Sequence, residues 1–306
     1  MTSSNGPFIQ DPLFSMARGD IAGVLAMVIR TEGPSYRAVG AAMVFDADGG
    51  RIGSLSSGCI EADLAIHAET VRNSGTPQRI IYGRGSPFVD IQLPCGGGLE
   101  ILLIPQPGTD ELGLIRDVET DREAQSIAIA LETGTITPCT QTQTGLSDTT
   151  FHLQIDPPLH FVVFGKGPEA GTFVHLVQTL GHGGTLVSPD PETLAMGNLQ
   201  GWDTRTIRHP HGPADLTLDT RTAVVLFFHD HEWEAPILKD ILGAEVLYVG
   251  AQGSMRARDT RLLELEALGV SDDARAKVRG PIGVIPSVRD SKTLAVSVLA
   301  EILSLM

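Results

Sequence analysis

The sequence predicts an α/β chain in two parts: an N-terminal α+β domain with a connecting segment over residues 1–157, and a doubly wound parallel-sheet domain over residues 158–306. Three observations lead to this division. Beyond Asp156-Pro-Pro158, a turn-forming triplet suited to a boundary, short apolar runs alternate regularly with helical repeats. Before it, strands outnumber helices and follow one another without that alternation, which is the α+β pattern. At the junction, Leu159-His-Phe-Val-Val-Phe164 reads as a strand covered on both faces, and the turn after it runs Gly165-x-Gly167-x-x-Ala170 into a helix.

Taken in order, the first dozen residues form a polar lead-in, and a short helix over Pro12–Arg18 stops at Gly19. Ile21–Arg30 is a buried strand. Ala41–Asp46 and Arg51–Ser54 pair as a hairpin across Ala47-Asp-Gly-Gly50. Ile60, Leu64, Ala68 and Val71 fall at helical spacing and end before Gly75-Thr-Pro77. Strands follow at Arg79–Tyr82, Val89–Leu93 and Leu99–Ile104, then a helix near Asp110–Val118, a strand near Ser126–Leu131 and a Thr/Gln-rich hairpin up to Ile155. In the second part strands are expected at His160–Phe164, Thr185–Ser188, Arg205–His209, Ala223–Phe228 and Glu245–Val249. Helices are expected at Pro168–Leu180, Glu232–Leu242, Arg256–Leu268 and Thr293–Ser304.

At 306 residues the chain is long enough for two cores, and 42% hydrophobic with 19% charged residues describes a soluble globular protein. Lys+Arg 22 against Asp+Glu 37 gives a net charge of −15, which argues against a nucleic-acid partner. No apolar run reaches transmembrane length, and Met-Thr-Ser-Ser-Asn lacks the parts of a signal peptide, so a cytoplasmic location is expected. Three cysteines are too few and too scattered for a disulfide framework.

Ligands of doubly wound sheets sit at the carboxyl ends of the strands. The Gly165/Gly167 turn has the logic of a Rossmann-like dinucleotide site, in which Gly167 lets backbone N–H groups approach a phosphate, although a turn kept for packing would read the same. A second turn, Gly250-Ala-Gln-Gly-Ser-Met-Arg-Ala-Arg258, is either an anion site using Ser254, Arg256 and Arg258 or a capped helix start. Cys59 enters a helix from a Gly/Ser loop, where the dipole favours a thiolate. Cys95 lies in Pro-Cys-Gly-Gly-Gly, a loop open to a bulky ligand. Either could instead be a small buried hydrophobe, and Cys139 is incidental. The pairs His209/His211 and His229/His231 have metal-ligand chemistry, but His229-Asp-His-Glu232 reads more naturally as a helix cap.

Gly33-Pro-Ser-Tyr-Arg-Ala-Val-Gly40, Gly53-Ser-Leu-Ser-Ser-Gly-Cys-Ile-Glu61, Pro94-Cys-Gly-Gly-Gly98 and Phe164-Gly-Lys-Gly167 occur in that order. Phe228-His-Asp-His-Glu232, Tyr248-Val-Gly-Ala-Gln-Gly-Ser254, Gly280-Pro-Ile-Gly283 and Ala300-Glu-Ile302 follow them. Through these stretches nearly the whole chain resembles the xanthine dehydrogenase accessory protein family, XdhC/CoxI-like. The resemblance implies a chaperone rather than an enzyme. Such a chaperone binds molybdenum cofactor (molybdopterin) as cargo, has it sulfurated with a NifS-type cysteine desulfurase, and delivers it to a xanthine dehydrogenase-type molybdoenzyme. A homodimer and a nucleotide in the Rossmann-like domain are further expectations. The candidate cofactor-binding residues are Arg37, Cys59, Glu61, Cys95, Gly96 and Gly97 in the first part and Gly165, Gly167, Ser254 and Arg256 in the second. Cys59 is the candidate contact to the molybdenum centre, and Arg84 could add charge beside Arg37.

Four features depart from the family pattern, one of them Asp190 where the family has an arginine. The usual Ser-Gly-Gly-Cys is Ser56-Ser57-Gly58-Cys59, and Gly283-Val-Ile-Pro-Ser-Val288 lacks a glycine-rich continuation. Ser188 stands where an acidic residue would accept the ribose hydroxyl, leaving Asp190 as a substitute. Two other classes stay open: an NAD(P)-dependent oxidoreductase using His229 as its acid, and a nucleotide-sensing module.

Overall fold

The computed structural model describes residues 9–56, 58, 60–84, 86 and 96–306, the side chain of His231 excepted. The expected strand Val89–Leu93 and the residues Cys59, Pro94 and Cys95 lie outside that set. The chain divides into two compact units, Met1–Pro157 and Pro158–Met306.

In the first unit α1 (Pro12–Arg18) is capped by Asp11, whose side chain accepts from Leu13 and Phe14 N–H, and it ends on Gly19 at φ 81°. Strands β1 (Val24–Glu32), β2 (Ala42–Phe45) and β3 (Arg51–Gly53) are followed by helix α2 (Glu61–Ser74) and strands β4 (Gln78–Gly83) and β5 (Gly98–Ile104). They form an antiparallel sheet in the order β3-β2-β1-β5-β4. The remainder comprises α3 (Thr109–Asp121), β6 (Gln125–Ala130), β7 (Ile136–Cys139), β8 (Gly145–Leu146) and β9 (Thr150–Ile155), with a second sheet ordered β7-β6-β9-β8.

The central strand explains the layering. Val24, Ala26 and Val28 of β1 pack with Leu64, Ala68 and Val71 of α2. Leu25, Met27 and Ile29 alternate to the other face, against α1, α3 and the small sheet. A strand buried on both faces has no polar side to show, which is why β1 reads as an unbroken apolar run.

The second unit runs β10 (His160–Gly165), α4 (Pro168–Thr179), β11 (Gly183–Ser188), α5 (Pro191–Leu199), β12 (Asp203–Thr206) and β13 (Thr222–Phe227). After a short 3-10 turn at His231–Trp233 come α6 (Glu234–Ile241), β14 (Tyr248–Ala251), α7 (Met255–Ala267), α8 (Asp272–Ala276), β15 (Val278–Arg279) and α9 (Ser291–Leu303). All strand pairs are parallel, in the order β12-β11-β10-β13-β14-β15. The order reverses between β10 and β13, which places a ligand crevice at their carboxyl ends. Phe161 and Val163 of β10 face α4 and α9, whereas Val162 and Phe164 face α6 and α7. The sheet is thus doubly wound, as expected from the alternation. No helix among the described residues is long and apolar enough to cross a membrane.

Several elements differ from the sequence reading: α5, α8 and β15 were not expected, and β1, β12 and β14 are shifted from their expected spans. Helix α5 lacks a clean apolar stripe, since only Thr193, Leu194 and Gly197 are buried, but Asp190 and Pro191 mark its start. Strand β14 begins three residues later than expected because its ladder with β13 starts at Ala223↔Tyr248.

Between α6 and α7, Arg261 is 2% exposed and Glu234 is fully buried. Arg261 Nε donates to Glu234 Oε2 at 2.9 Å and Nη2 donates to the Gln252 carbonyl at 2.8 Å. Arg261→Ala would remove this guanidinium from beside the buried carboxylate and should cost about 3–5 kcal/mol in urea unfolding. Replacing both residues by Met should recover most of that loss, because neither charge then remains in the core.

Candidate functional site

Among the described residues, the first-unit candidates Arg37, Glu61, Gly96 and Gly97 belong to segments at one end of the five-stranded sheet. Glu32 at the end of β1 and Gly83 at the end of β4 both flank Gly98 at the start of β5. The start of β2 and the end of β3 lie at the same end, with Ala42 opposite Met27 and Gly53 opposite Met43. The loop carrying Arg37, the loop running to α2, and the segments next to Gly83 and Gly98 therefore all leave the sheet together. Arg37 is exposed and makes no side-chain hydrogen bond or ion pair among the described residues, whereas Arg84 Nη1 lies 3.5 Å from Glu32 Oε1.

The glycines here divide by role. A Cβ on Gly97 would stand 2.0 Å from the Pro34 carbonyl oxygen, and one on Gly98 would stand 2.7 Å from that of Arg84. These two glycines let backbones close on one another. Gly96 has φ +69° and open space around its missing side chain. Of the three, Gly96 leaves room for a ligand.

Glu61 opens α2, and its carboxylate closes the loop before it. Oε1 accepts from Ser54 Oγ at 2.9 Å, Leu55 N at 3.2 Å and Ser56 N at 2.8 Å. Oε2 accepts from Ser56 Oγ at 2.6 Å and Ile60 N at 3.3 Å. The side chain is buried, so its direct partners are the loop's own donors. Burial pushes the acid up, but the hydrogen bonds, led by those from the Ser56 side chain and backbone, hold it at about 2. Two residues on, Asp63 Oδ2 accepts from the buried Tyr82 hydroxyl at 2.5 Å and lies 3.5 Å from His67 Nε2. Burial and Asp63 both push the Tyr82 hydroxyl up. One turn of α2 thus holds both Ser54–Ser56 and Tyr82 near the end of β4.

Because Glu61 titrates at about 2 against an ordinary 4.5, its contribution is complete above 4.5 and is lost as pH falls toward 2. Glu61→Gln should cost about 2–3 kcal/mol at pH 7 in denaturant unfolding, and the gap from the parent should narrow below about pH 4.

In the second unit the Gly165–Ala170 turn lies at the point of strand-order reversal. Gly165 lies against β13, where a Cβ would stand 2.7 Å from the Phe227 carbonyl oxygen. Gly167, at φ 89°, caps α4, and its N–H donates to Thr193 Oγ1 at 2.8 Å. Thr193 Oγ1 in turn donates to Asp190 Oδ2 at 2.6 Å, and Thr193 N donates to the same oxygen at 2.9 Å. Those hydrogen bonds, the side-chain one first, hold Asp190 below its usual value. Asp190 therefore serves as the N-cap of α5, while Ser188 is fully buried. Pro168 occupies the first turn of α4, and Glu169 Oε2 lies 3.4 Å from His229 Nε2.

At the other turn Ser254 Oγ accepts from Ala257 N at 3.2 Å as the N-cap of α7, and Arg256 is exposed. His211 Nδ1 lies 3.1 Å from Asp240 Oδ2, and no group of three metal-ligating side chains occurs among the described residues. A separate groove of about 670 Å³ between α4, α5 and α9 is lined mainly by apolar residues such as Leu176, Met196 and Leu199, and none of the candidate residues lines it. Asp63, Thr193 and Glu169 were not singled out from the sequence. Pro168-Glu169 and Asp190-Pro191 were nevertheless readable as helix starts.

Comparison with known proteins bears on this geometry. Residues 16–83 match the model of the XdhC and CoxI family, and residues 161–302 match that of the XdhC Rossmann domain. The chain is 33% identical over 290 residues to the "Molybdenum cofactor insertion chaperone PaoD" of Escherichia coli (strain K12), covering 92% of this chain and 82% of that one. The chain belongs to the XdhC and CoxI family. Another relative, from Bacillus subtilis (strain 168) and named as a probable xanthine dehydrogenase subunit, is 24% identical over 311 residues and covers 92% of each chain. The same fold occurs in a crystal structure named as a xanthine dehydrogenase from Bacillus halodurans, at TM-score 0.77 and 22% identity, over 96% of this chain and 94% of that one. Within the XdhC and CoxI family match, the region 16–83 contains Arg37 and the Glu61-locked loop.

Proposed function

We propose that this XdhC and CoxI family chain is a molybdenum cofactor chaperone. It binds molybdopterin as cargo, protects it, promotes its sulfuration with a cysteine desulfurase, and inserts it into a xanthine dehydrogenase-type molybdoenzyme. The chain itself carries out no dehydrogenase turnover. The observation that carries this reading is its 33% identity, over 92% of its length, to a protein named as a molybdenum cofactor insertion chaperone.

The first unit's chemistry supports the reading. Molybdopterin combines an anionic phosphate, a hydrogen-bonding ring and a dithiolene that presents molybdenum. Arg37 is a solvent-facing cation at the loop end of the sheet, and Gly96 leaves the adjacent backbone open. Glu61 acts on the cargo indirectly, by holding the Ser54–Ser56 backbone that leads to Cys59. Cys59 supplies the soft sulfur ligand suited to a molybdenum centre, and Cys95, next to Gly96, supplies a second.

The test is the pterin content of protein purified from a host that makes the cofactor, read as fluorescence after oxidation. The parent should carry molybdopterin and reduce no NAD(P) with purine substrates. Cys59→Ser should keep the fold and most of the cargo, yet activate the client enzyme several-fold less. Absence of any molybdopterin derivative from the parent would overturn the reading, and full client activation by Cys59→Ser would remove that thiol from it.

A further inference from the structure

The crevice where strand order reverses in the second unit presents acceptors. Glu169 Oε2 is buried and has no hydrogen-bond donor among the described residues; its contact with His229 Nε2, at 3.4 Å, is an ion-pair distance. Gln252, at the end of β14, is 7% exposed. Its Nε2 donates to the Phe228 carbonyl at 3.3 Å, which fixes the amide's orientation and leaves Oε1 with no donor among the described residues. Gln252 Nε2 is also 3.5 Å from His229 Nδ1, so the three side chains are contiguous.

The same crevice is poorly built for a phosphate. The Gly167 N–H, the donor a phosphate would approach, is used by Thr193. Pro168 has no N–H to offer. Glu169 Oε2 lies 3.9 Å from where a Gly167 Cβ would stand, so a carboxylate already occupies the approach that glycine leaves open. The stand-in ribose acceptor, Asp190, is engaged by Thr193. With one donor used by Thr193, another missing at Pro168 and a carboxylate beside them, this helix start favours N–H groups over a further anion.

We propose that this crevice holds the donor edge of an amino-oxo-pyrimidine ring, the adjacent N–H and amino groups of a pterin, and does not take a dinucleotide's pyrophosphate. Two parallel donors match a carboxylate as a guanidinium does, and Gln252 Oε1 supplies a further acceptor. The identity of the ring as a pterin rests on the carrier reading above. Guanine has the same edge, so the experiment must separate the two.

The measurement is titration of cofactor-free full-length protein with hydroxymethylpterin, which has no phosphate, followed by pterin fluorescence. Guanosine, NAD and inorganic pyrophosphate serve as competitors. Hydroxymethylpterin should bind the parent, and Glu169→Gln should weaken it by about tenfold or more with an unchanged melting temperature. Gln252→Met should weaken it as well, and neither NAD nor pyrophosphate should compete. Equal affinity in parent and Glu169→Gln, or competition by pyrophosphate, would overturn the proposal; tighter binding of guanosine would overturn the pterin assignment. If Glu169→Gln shifts the melt, competition on the parent decides. A parent that carries molybdopterin from the cell yet binds no hydroxymethylpterin contradicts this inference alone, whereas a parent without molybdopterin contradicts the carrier reading.

Discussion

The Glu61 carboxylate accepts from Ser54, Leu55, Ser56 and Ile60, and the presentation of the first unit's loop end depends on that closed set of bonds. Leu55 and Ile60 bury this loop in the core, so its N–H groups need a buried acceptor in place of water. Placing the acceptor on the first residue of α2 ties the loop to an element whose own position is set by Leu64, Ala68 and Val71 against β1. Asp63 extends the same device to Tyr82 and the end of β4. The result is that Ser54–Ser56, the start of α2 and the end of β4 are tied to one another at the loop end of the sheet.

The second unit illustrates how a fold and a fingerprint can diverge from the ligand they usually announce. Its strand order and crevice are those of a dinucleotide-binding sheet, and the turn keeps Gly165 and Gly167. Yet Pro168 lacks an N–H, the Gly167 N–H is taken by Thr193, and Glu169 adds a carboxylate beside the turn. Those glycines are explained first by close approach: Gly165 to Phe227, and Gly167 by a positive φ that a side chain would strain. Function therefore lives in the side chains around the turn rather than in the turn's spacing.

Much of the architecture was legible because burial leaves a period in the sequence. β1, β10 and β13 are covered on both faces and appear as apolar runs, while α2 and α4 show helical stripes. Helix α5 left only its cap, because Gly197 and Thr193 pack where larger residues would mark a stripe. The candidate site was less legible. Arg37, Gly96 and Glu61 were singled out through the family motifs, which mark Glu61 as a candidate contact but do not show that its carboxylate turns back onto residues 54–60. Likewise the Glu169–His229–Gln252 cluster joins the first turn of α4 to residues just past β13 and β14, so spacing alone could not assemble it. Cys59, Cys95 and the expected strand Val89–Leu93 lie outside the described residues, and their roles rest on the sequence.

The most direct measurement of the central claim is transfer. Cargo-loaded chain is mixed with a cofactor-free xanthine dehydrogenase-type enzyme, the two are separated, and the pterin on each is measured alongside enzyme activity. The expected result is a fall of pterin on the chain matched by a rise on the enzyme, with activity appearing in proportion. Pterin that stays on the chain while the enzyme remains inactive, with the enzyme competent to accept free cofactor, would contradict the account.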